Sequence, residues 1–297
     1  MDLSSASSQL NNSWVQKNNL VQRRKLKNQL FIIGALGITG LLLLVLFSIL
    51  AILLINGLSG LSLFTLSHMT APQGIKGGLL NPILGSLFQT GLAIFLAIPI
   101  GVLAGIFLAE YGNTRMVSLV RFISDMLMSA PSILVGLFIY TVIVIYLGYS
   151  AFAGICALAI LAIPLIVRTT EDTLRLIPTT IREAGFALGA PKWKVIIFVC
   201  LPIAKGGIMT GILLAISRIA GEAAPLLFTS LGNSDWSWNI FAPMTSLPLI
   251  IYQYADSADD QWVQLAWTAA LLITMAVLCL NIVAKSYLEK GLKNKRK

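Results

Sequence analysis

The chain has 297 residues, of which 57% are hydrophobic and only 11% charged, with 21 lysines and arginines, 12 carboxylates and one histidine. Soluble domains carry about 25% charged residues, so this composition excludes an ordinary soluble protein and indicates a chain that crosses a bilayer several times. The net charge of +9 lies in short segments between apolar runs, with no aromatic-interleaved basic face, and this excludes nucleic acid as the partner.

Residues 1–29 form a polar tail that ends basic and precedes an apolar run at 30–55. That run far exceeds the roughly 7–15 residues of a signal-peptide core, so it reads as an uncleaved first transmembrane helix. About 20 apolar residues cross a bilayer as helix. The rule places six spans, at 30–55, 84–109, 117–147, 152–170, 206–231 and 263–285. All basic residues except Lys76 and Arg218 then fall on one side, in the two tails and the second-to-third and fourth-to-fifth connections. Lysine and arginine excess marks the cytoplasmic side, so both termini are expected there, in a multi-pass plasma (inner) membrane protein. The opposite loop at 232–262 carries Asp235, Asp256, Asp259 and Asp260 and no basic residue. It and the 68–82 loop mix Gly and Pro with bulky apolar residues and are expected to be ordered. Trp236, Trp238 and Trp262 suit an interfacial belt, or the loops form a gate and docking face for an external partner.

Little here supports catalysis. A single His68 excludes an HExxH zinc site, and no Gly-Lys dipeptide exists for a Walker A loop. No Gly-x-Ser-x-Gly elbow occurs. Cys156, Cys200 and Cys279 have neither disulfide nor metal spacing and read as small buried hydrophobes. The chain is expected to be no enzyme and to bind no metal or cofactor.

Between the fourth and fifth spans lies a polar insert, "EAGFALGAPKWKVIIFVCLP", Glu183 to Pro202. It parses as two short helices. Thr180-Ile-Arg-Glu183 has the spacing of a capping box, Gly189 is a C-terminal stop, Pro191 suits the first turn of a second helix, and Pro202 interrupts before the fifth span. A helix of about eight residues is marginal alone in water, which points to docking; Glu183 is read either as a cap or as part of that docking. Glu183, Ala184, Gly185, Gly189, Val199, Leu201 and Pro202 resemble, in type and spacing, the EAA loop of ABC importer permeases, with Gly185 and Val199 standing where Ala and Ile are usual. In that family the loop is a coupling helix that fits a cleft on a separate ATPase.

In the fifth span, "SRIAGEAAPLLFTSLG" places Arg218 and Glu222 four apart on one helical face. An arginine at mid-membrane costs about 2.5–3.5 kcal/mol on insertion scales and faces protein or water. The pair is either a structural stitch or a cationic waypoint for an oxyanion, with Glu222 holding the guanidinium; planar donors match phosphate or sulfate. Pro225 is expected to bend this helix. Ser86, Gln89, Thr90, Ser129 and Ser132 line a path or make interhelical hydrogen bonds. Gly101-x-x-x-Gly105 and Gly207-x-x-x-Gly211 read as close helix contacts. Arg168 and Glu171 anchor the membrane boundary or act on the exit side, and Asp125 is expected to pair with Arg121.

The stretches "SRIAGEAAPLLFT", "LPLIIYQYA", "IPIGVLAGIFLAEYG", "APSILVGLFIY" and "VRTTEDTLRLIP" resemble the PstA-type permeases of phosphate importers over roughly 80–285. The resemblance implies an all-α membrane protein of six transmembrane helices with a type I, MetI-like permease core. That core spans 84–285, with a coupling loop at 171–205 and a basic tail at 286–297. It implies a heterodimer with a second phosphate permease, two ATP-binding subunits carrying ATP and Mg, and an external phosphate-binding protein. Permeation of another oxyanion (sulfate, molybdate or phosphonate), an ATP-independent carrier and an intramembrane enzyme are the alternatives.

Overall fold

Inside a bilayer no water satisfies the backbone, so each apolar run closes its own hydrogen bonds as helix. A computed structural model describes the backbone of residues 3–112, 114–233 and 238–294, and their side chains except at 3–23, 26 and 287–294. Asp235, Trp236 and the basic side chains of Lys17, Arg23, Lys290, Lys293, Lys295, Arg296 and Lys297 lie outside this description. The helices are α1 Leu3–Ser59, α2 Leu63–Ser67, α3 Leu80–Glu110, α4 Arg115–Ser129, α5 Ser132–Leu147, α6 Ala151–Arg175, α7 Thr179–Ala187, α8 Lys192–Ala220, α9 Ala224–Thr229, α10 Leu247–Tyr254 and α11 Asp260–Asn294. No strand occurs among the described residues.

Residues 1–55 form one unit and 56–297 another. In the first, the expected polar tail and first span are one continuous helix. Its apolar side chains from Leu30 to Ile49 are exposed all round, as in a helix whose solvent is lipid. Thr39 and Ser48 return their hydroxyls to the carbonyls of Ala35 and Val45, each at 2.8 Å, so neither is left unpaired.

In the second unit α6 is the central helix. Ala153, Ala157, Leu158, Ala162 and Ile166 on it are buried, and both neighbours approach it through glycines. On α3, a Cβ at Gly101 would sit 2.8 Å from Ile166, and one at Gly105 2.5 Å from Thr170. On α8, Gly207 and Gly211 lie against Thr173 and Thr169. Both Gly-x-x-x-Gly pairs are the close contacts expected of them. Ala93, Ala97, Leu161, Ile219 and Leu226 complete this core.

The expected third span is broken. Ala130 leaves the helical region (φ −67, ψ 135) ahead of Pro131, because a proline ring clashes with a helical residue before it. α4 and α5 consequently meet at 107°. Asp125 does not pair with Arg121, which reaches across to Glu171 at 2.8 Å instead. α3 and α6 begin at one end of the unit, where Gln89 and the first amides of α6 bond the same 240–245 loop, and finish at the other, where Arg182 touches both. Parallel neighbours need one crossing between them, so the bent pair is a single span. With α1, α3, α6, α8 and α11, the helices long and apolar enough to cross, it makes six.

Where they are described, at 68–82, 232–233 and 238–262, the long loops are ordered, as expected. The N–H groups of Ala151 and Phe152, which no helical carbonyl can satisfy, donate to Ala242 and Ile240, each at 2.9 Å. Ser86 Oγ accepts the Leu247 N–H at 2.7 Å, and Gln89 Nε2 donates to Met244 O at 3.2 Å. Ser86 therefore serves interhelical bonding, the second of the readings offered for it, while Gln89 bonds the loop that leads into α10. Trp262 stacks on Tyr254 at 4.0 Å and packs into the protein, which departs from the belt expected of it.

Candidate coupling segment and membrane arginine

The link between α6 and α8 holds the Glu-Ala motif. Its helix, α7, starts differently from expectation. Pro178 takes the cap position (φ −58, ψ 143), and no side chain caps the helix. Thr180 is thus inside the first turn, and the capping box with Glu183 does not form. The far end follows expectation closely. Gly189 has φ +76, its N–H bonds Phe186 O at 2.9 Å, and Ala190 N–H bonds Gly185 O at 3.3 Å. That is the Schellman closure, which needs a residue free to adopt the left-handed conformation. Pro191 caps α8 one residue before its first turn.

Pro202 does not interrupt α8. A π-helical turn at Ile196–Cys200 precedes it, and Leu201 N–H bonds Ile196 O. This wider turn absorbs the missing proline donor, so one helix runs from Lys192 to Ala220. The link expected at 171–205 is correspondingly shorter, since its outer parts belong to α6 and α8.

The inner face of α7 is pinned. Arg182 donates Nε and Nη2 to Glu110 Oε1 at 3.1 and 2.8 Å, Nη2 to Leu174 O at 2.8 Å and Nη1 to Ile177 O at 2.6 Å. Lys192 Nζ donates to Glu110 O and stands 4.2 Å from the Tyr111 ring centroid. A Cβ at Gly185 would lie 3.0 Å from Val195, so the glycine lets α7 sit on the first turn of α8. The outer face is free: Glu183, Ala184, Phe186, Ala187 and Leu188 are exposed, with Leu176 and Trp193 beside them. Leu188 is 89% and Leu176 82% exposed. Exposed apolar patches rimmed by polar residues occur at protein–protein or membrane contacts.

Arg218 lies in the last turn of α8, about 20 Å along the helix from Lys205 at 1.5 Å per residue. The expected 206–231 span ends early: α8 stops at Ala220 with Gly221 as its cap, and Pro225 sits in the first turn of α9. The proline thus follows a break, which replaces the bend expected of it. Glu222 lies beyond the helix end, and its Oε1 is 4.0 Å from Arg218 Nε. The two residues are brought together, as a loose, part-exposed pair rather than a tight bond. Ser217 beside them bonds Asn281 of α11 at 3.0 Å.

A second charge centre is built around Arg168 and Glu171, which the sequence marked as a boundary pair without showing that Arg121 and Arg175 join it. Glu171 is buried, and its Oε1 accepts from Arg121 at 2.8 Å and lies 2.7 Å from Arg175 Nη2. Arg168 stands 3.8 Å from Oε2 and reaches Asp172 at 3.4 Å. The helical spacing of 168, 171 and 175 was visible, but Arg121 comes from α4. Glu110, the partner of Arg182, was likewise passed over, because nothing near it in sequence marks it. Of the cysteines, Cys200 is buried, Cys156 half-buried and Cys279 exposed, so the third departs from the buried reading. Ser129 bonds Met126 O within α4, and Thr90 lines an apolar cavity of about 510 Å³ with Leu87, Ile216 and Leu272.

A model of the family described as "Binding-protein-dependent transport system inner membrane component" matches residues 101–291. The chain belongs to this family. The matched region holds α4 to α10 and most of α11, including both charge centres of this permease and its candidate coupling segment. The "Phosphate transport system permease protein PstA" of Haemophilus influenzae is 50% identical to it, over 76% of this chain and 80% of that protein. The protein of that name from Yersinia pestis is 49% identical, over 77% and 78%. "PstA 1" of Mycobacterium tuberculosis is 39% identical, over 72% and 70%. Among solved structures, the inward-facing MetNI methionine ABC transporter superposes with a TM-score of 0.61 at 21% identity, over 71% of this chain and 95% of that one. The permease shares its all-α fold.

Proposed function

We propose that this inner-membrane permease moves inorganic phosphate into the cytoplasm, as one of two permease subunits in a complex driven by ATP. The observation that carries the substrate is the near-50% identity, over most of both chains, to permeases named for phosphate transport. The chain supplies the membrane path and no ATPase site; ATP and Mg belong to two separate subunits docked on the outer face of α7. An external phosphate-binding protein meets the opposite loops. Closure of the ATPases displaces the 181–201 segment and tilts the helices around the path, and Arg218, oriented by Glu222, meets the anion where α8 breaks. Glu183, Ala184, Gly185, Gly189, Leu201 and Pro202 build the docking segment.

Two substitutions test the parts separately in vesicles that hold the whole complex. Arg218→Gln is expected to assemble normally and lose phosphate uptake by at least about tenfold, the scale of a charge-assisted hydrogen bond; near-normal uptake removes Arg218 from the path. Leu188→Asp is expected to release the ATPase during purification while the permease stays in the membrane. Competition by sulfate or molybdate at phosphate-like concentrations would reassign the substrate.

A further inference from the structure

Arg182 belongs to the segment that carries the docking face, yet every contact its guanidinium makes points inward. Its chief partner, Glu110, is the last residue of α3, 72 positions away in the chain. The two side chains are 16% and 7% exposed. Two further donations go to Leu174 at the end of α6 and Ile177 just beyond it. Lys192, the first residue of α8, donates to the backbone carbonyl of the same Glu110. The Glu110–Arg182 pair is thus the joint at which α3, α6, α7 and α8 meet.

The chain joins α7 directly to α6 and α8 but not to α3. The turns on either side of α7, at 176–178 and 188–191, can absorb displacement by changing their dihedral angles. A forked, largely buried charge pair with two extra carbonyl acceptors has far less freedom. α3 is also the helix that lies glycine-close on α6 and holds the 244–247 loop through Ser86 and Gln89. A push delivered to its end therefore reaches the opposite face of the membrane along one continuous helix.

We infer that the Glu110–Arg182 pair is a strut that carries displacement of α7 into α3, so that both are positioning residues for coupling ATP hydrolysis to uptake. This rests on the reading of α7 as the docking helix. Lysine at 182 keeps the charge but not the fork, and glutamine at 110 keeps the shape but not the charge.

The test reconstitutes the whole complex, carrying E110Q or R182K, in proteoliposomes with the external binding protein, and reads phosphate uptake and ATP hydrolysis in one preparation. The expected result is ATPase retained on the permease and hydrolysis continuing, with phosphate moved per ATP down about tenfold, within the usual range of coupling between sites. A purely structural role lowers uptake and hydrolysis together with the amount of complex, and that unchanged ratio overturns the strut. Should either variant assemble poorly, pulsed spin-label distances between the last turns of α3 and α7 in the otherwise unaltered complex decide the matter. A distance that holds through the ATP cycle supports the strut, and separation of the two ends refutes it. If Leu188→Asp leaves the ATPase bound, the docking reading falls and takes the strut with it. If that variant releases the ATPase while E110Q keeps its ratio, only the strut falls.

Discussion

Individual polar residues hold the ends of this permease in place, and each does so by meeting a specific unsatisfied group. Glu171 is the most demanding, because a carboxylate buried without partners is strongly destabilising. Arg168 and Arg175 reach it from one helical turn either side, and Arg121 ties α4 to α6 through it. Asp259 does the corresponding task at the other end from an exposed position. Its Oδ2 accepts the Gly74 N–H at 3.0 Å and its Oδ1 the Gln261 N–H at 2.9 Å. These bonds, that of Gly74 foremost, hold its pKa below the ordinary carboxylate value. A carboxyl whose pKa is lower in the folded state stabilises that state above its unfolded pKa, and the contribution is lost as pH falls through the folded one. A spin label at Ile75 should therefore be equally immobile at pH 7 and pH 5 and loosen only below about pH 4. In Asp259→Ala it should be mobile throughout; a label that stays fixed in that variant, or loosens near neutrality, removes the latch.

At the scale of elements, prolines and glycines decide the architecture, and their effect depends on what surrounds them. Gly206 and Gly211 lie on the same helix, yet a Cβ at Gly206 meets nothing within 4 Å, while one at Gly211 would run into Thr169. Gly211→Ala should destabilise the purified permease by about 1–3 kcal/mol through overpacking. Gly206→Ala should be neutral or stabilise by up to about 1 kcal/mol through helix propensity. Thermal unfolding in detergent checks both, and equal shifts would refute the glycine-close contact. The same dependence on surroundings explains how much was legible in the sequence. Hydropathy located six apolar helical stretches, since lipid selects for apolar length alone, and the Glu-Ala spacing located the exposed helix α7, the proposed docking segment. Pro131 and Pro202 have the same chemistry, but one bends its span by 107° and the other rides behind a π-turn in an unbroken helix. Hydropathy averaged over a span cannot distinguish them. The capping box failed for a related reason: Thr180 and Glu183 have the spacing, but Pro178 had already set where the helix begins. Glu110 and Arg121 were illegible as site residues because their partners lie 72 and 50 positions away.

At the largest scale, the 56–297 unit is polarised along the direction in which its helices run. In the 56–297 unit, α3 and α6 end and α8 begins where Arg121, Arg168, Arg175, Arg182, Lys192 and Lys194 gather. The opposite end carries Asp256, Asp259 and Asp260, with Lys76 as the exception. Basic residues near span ends are retained on the cytoplasmic side, so the proposed docking face of α7 is expected to look toward the compartment that holds ATP. The same expected orientation turns the 68–78 and 238–259 loops to the outside, where the proposed binding protein would arrive. The arrangement is testable with single cysteines once Cys156, Cys200 and Cys279 are replaced. In intact cells a membrane-impermeant maleimide should label Lys76→Cys, and it should reach Lys194→Cys only after the membrane is opened. Labelling of Lys194→Cys in intact cells would invert the molecule and place the docking face where no ATPase works. Labelling of both sites from outside would instead mean an even number of crossings between 76 and 194, and the bent α4–α5 pair would then be a re-entrant loop. The parallel course of α3 and α6, joined at both ends by hydrogen bonds, requires the odd number.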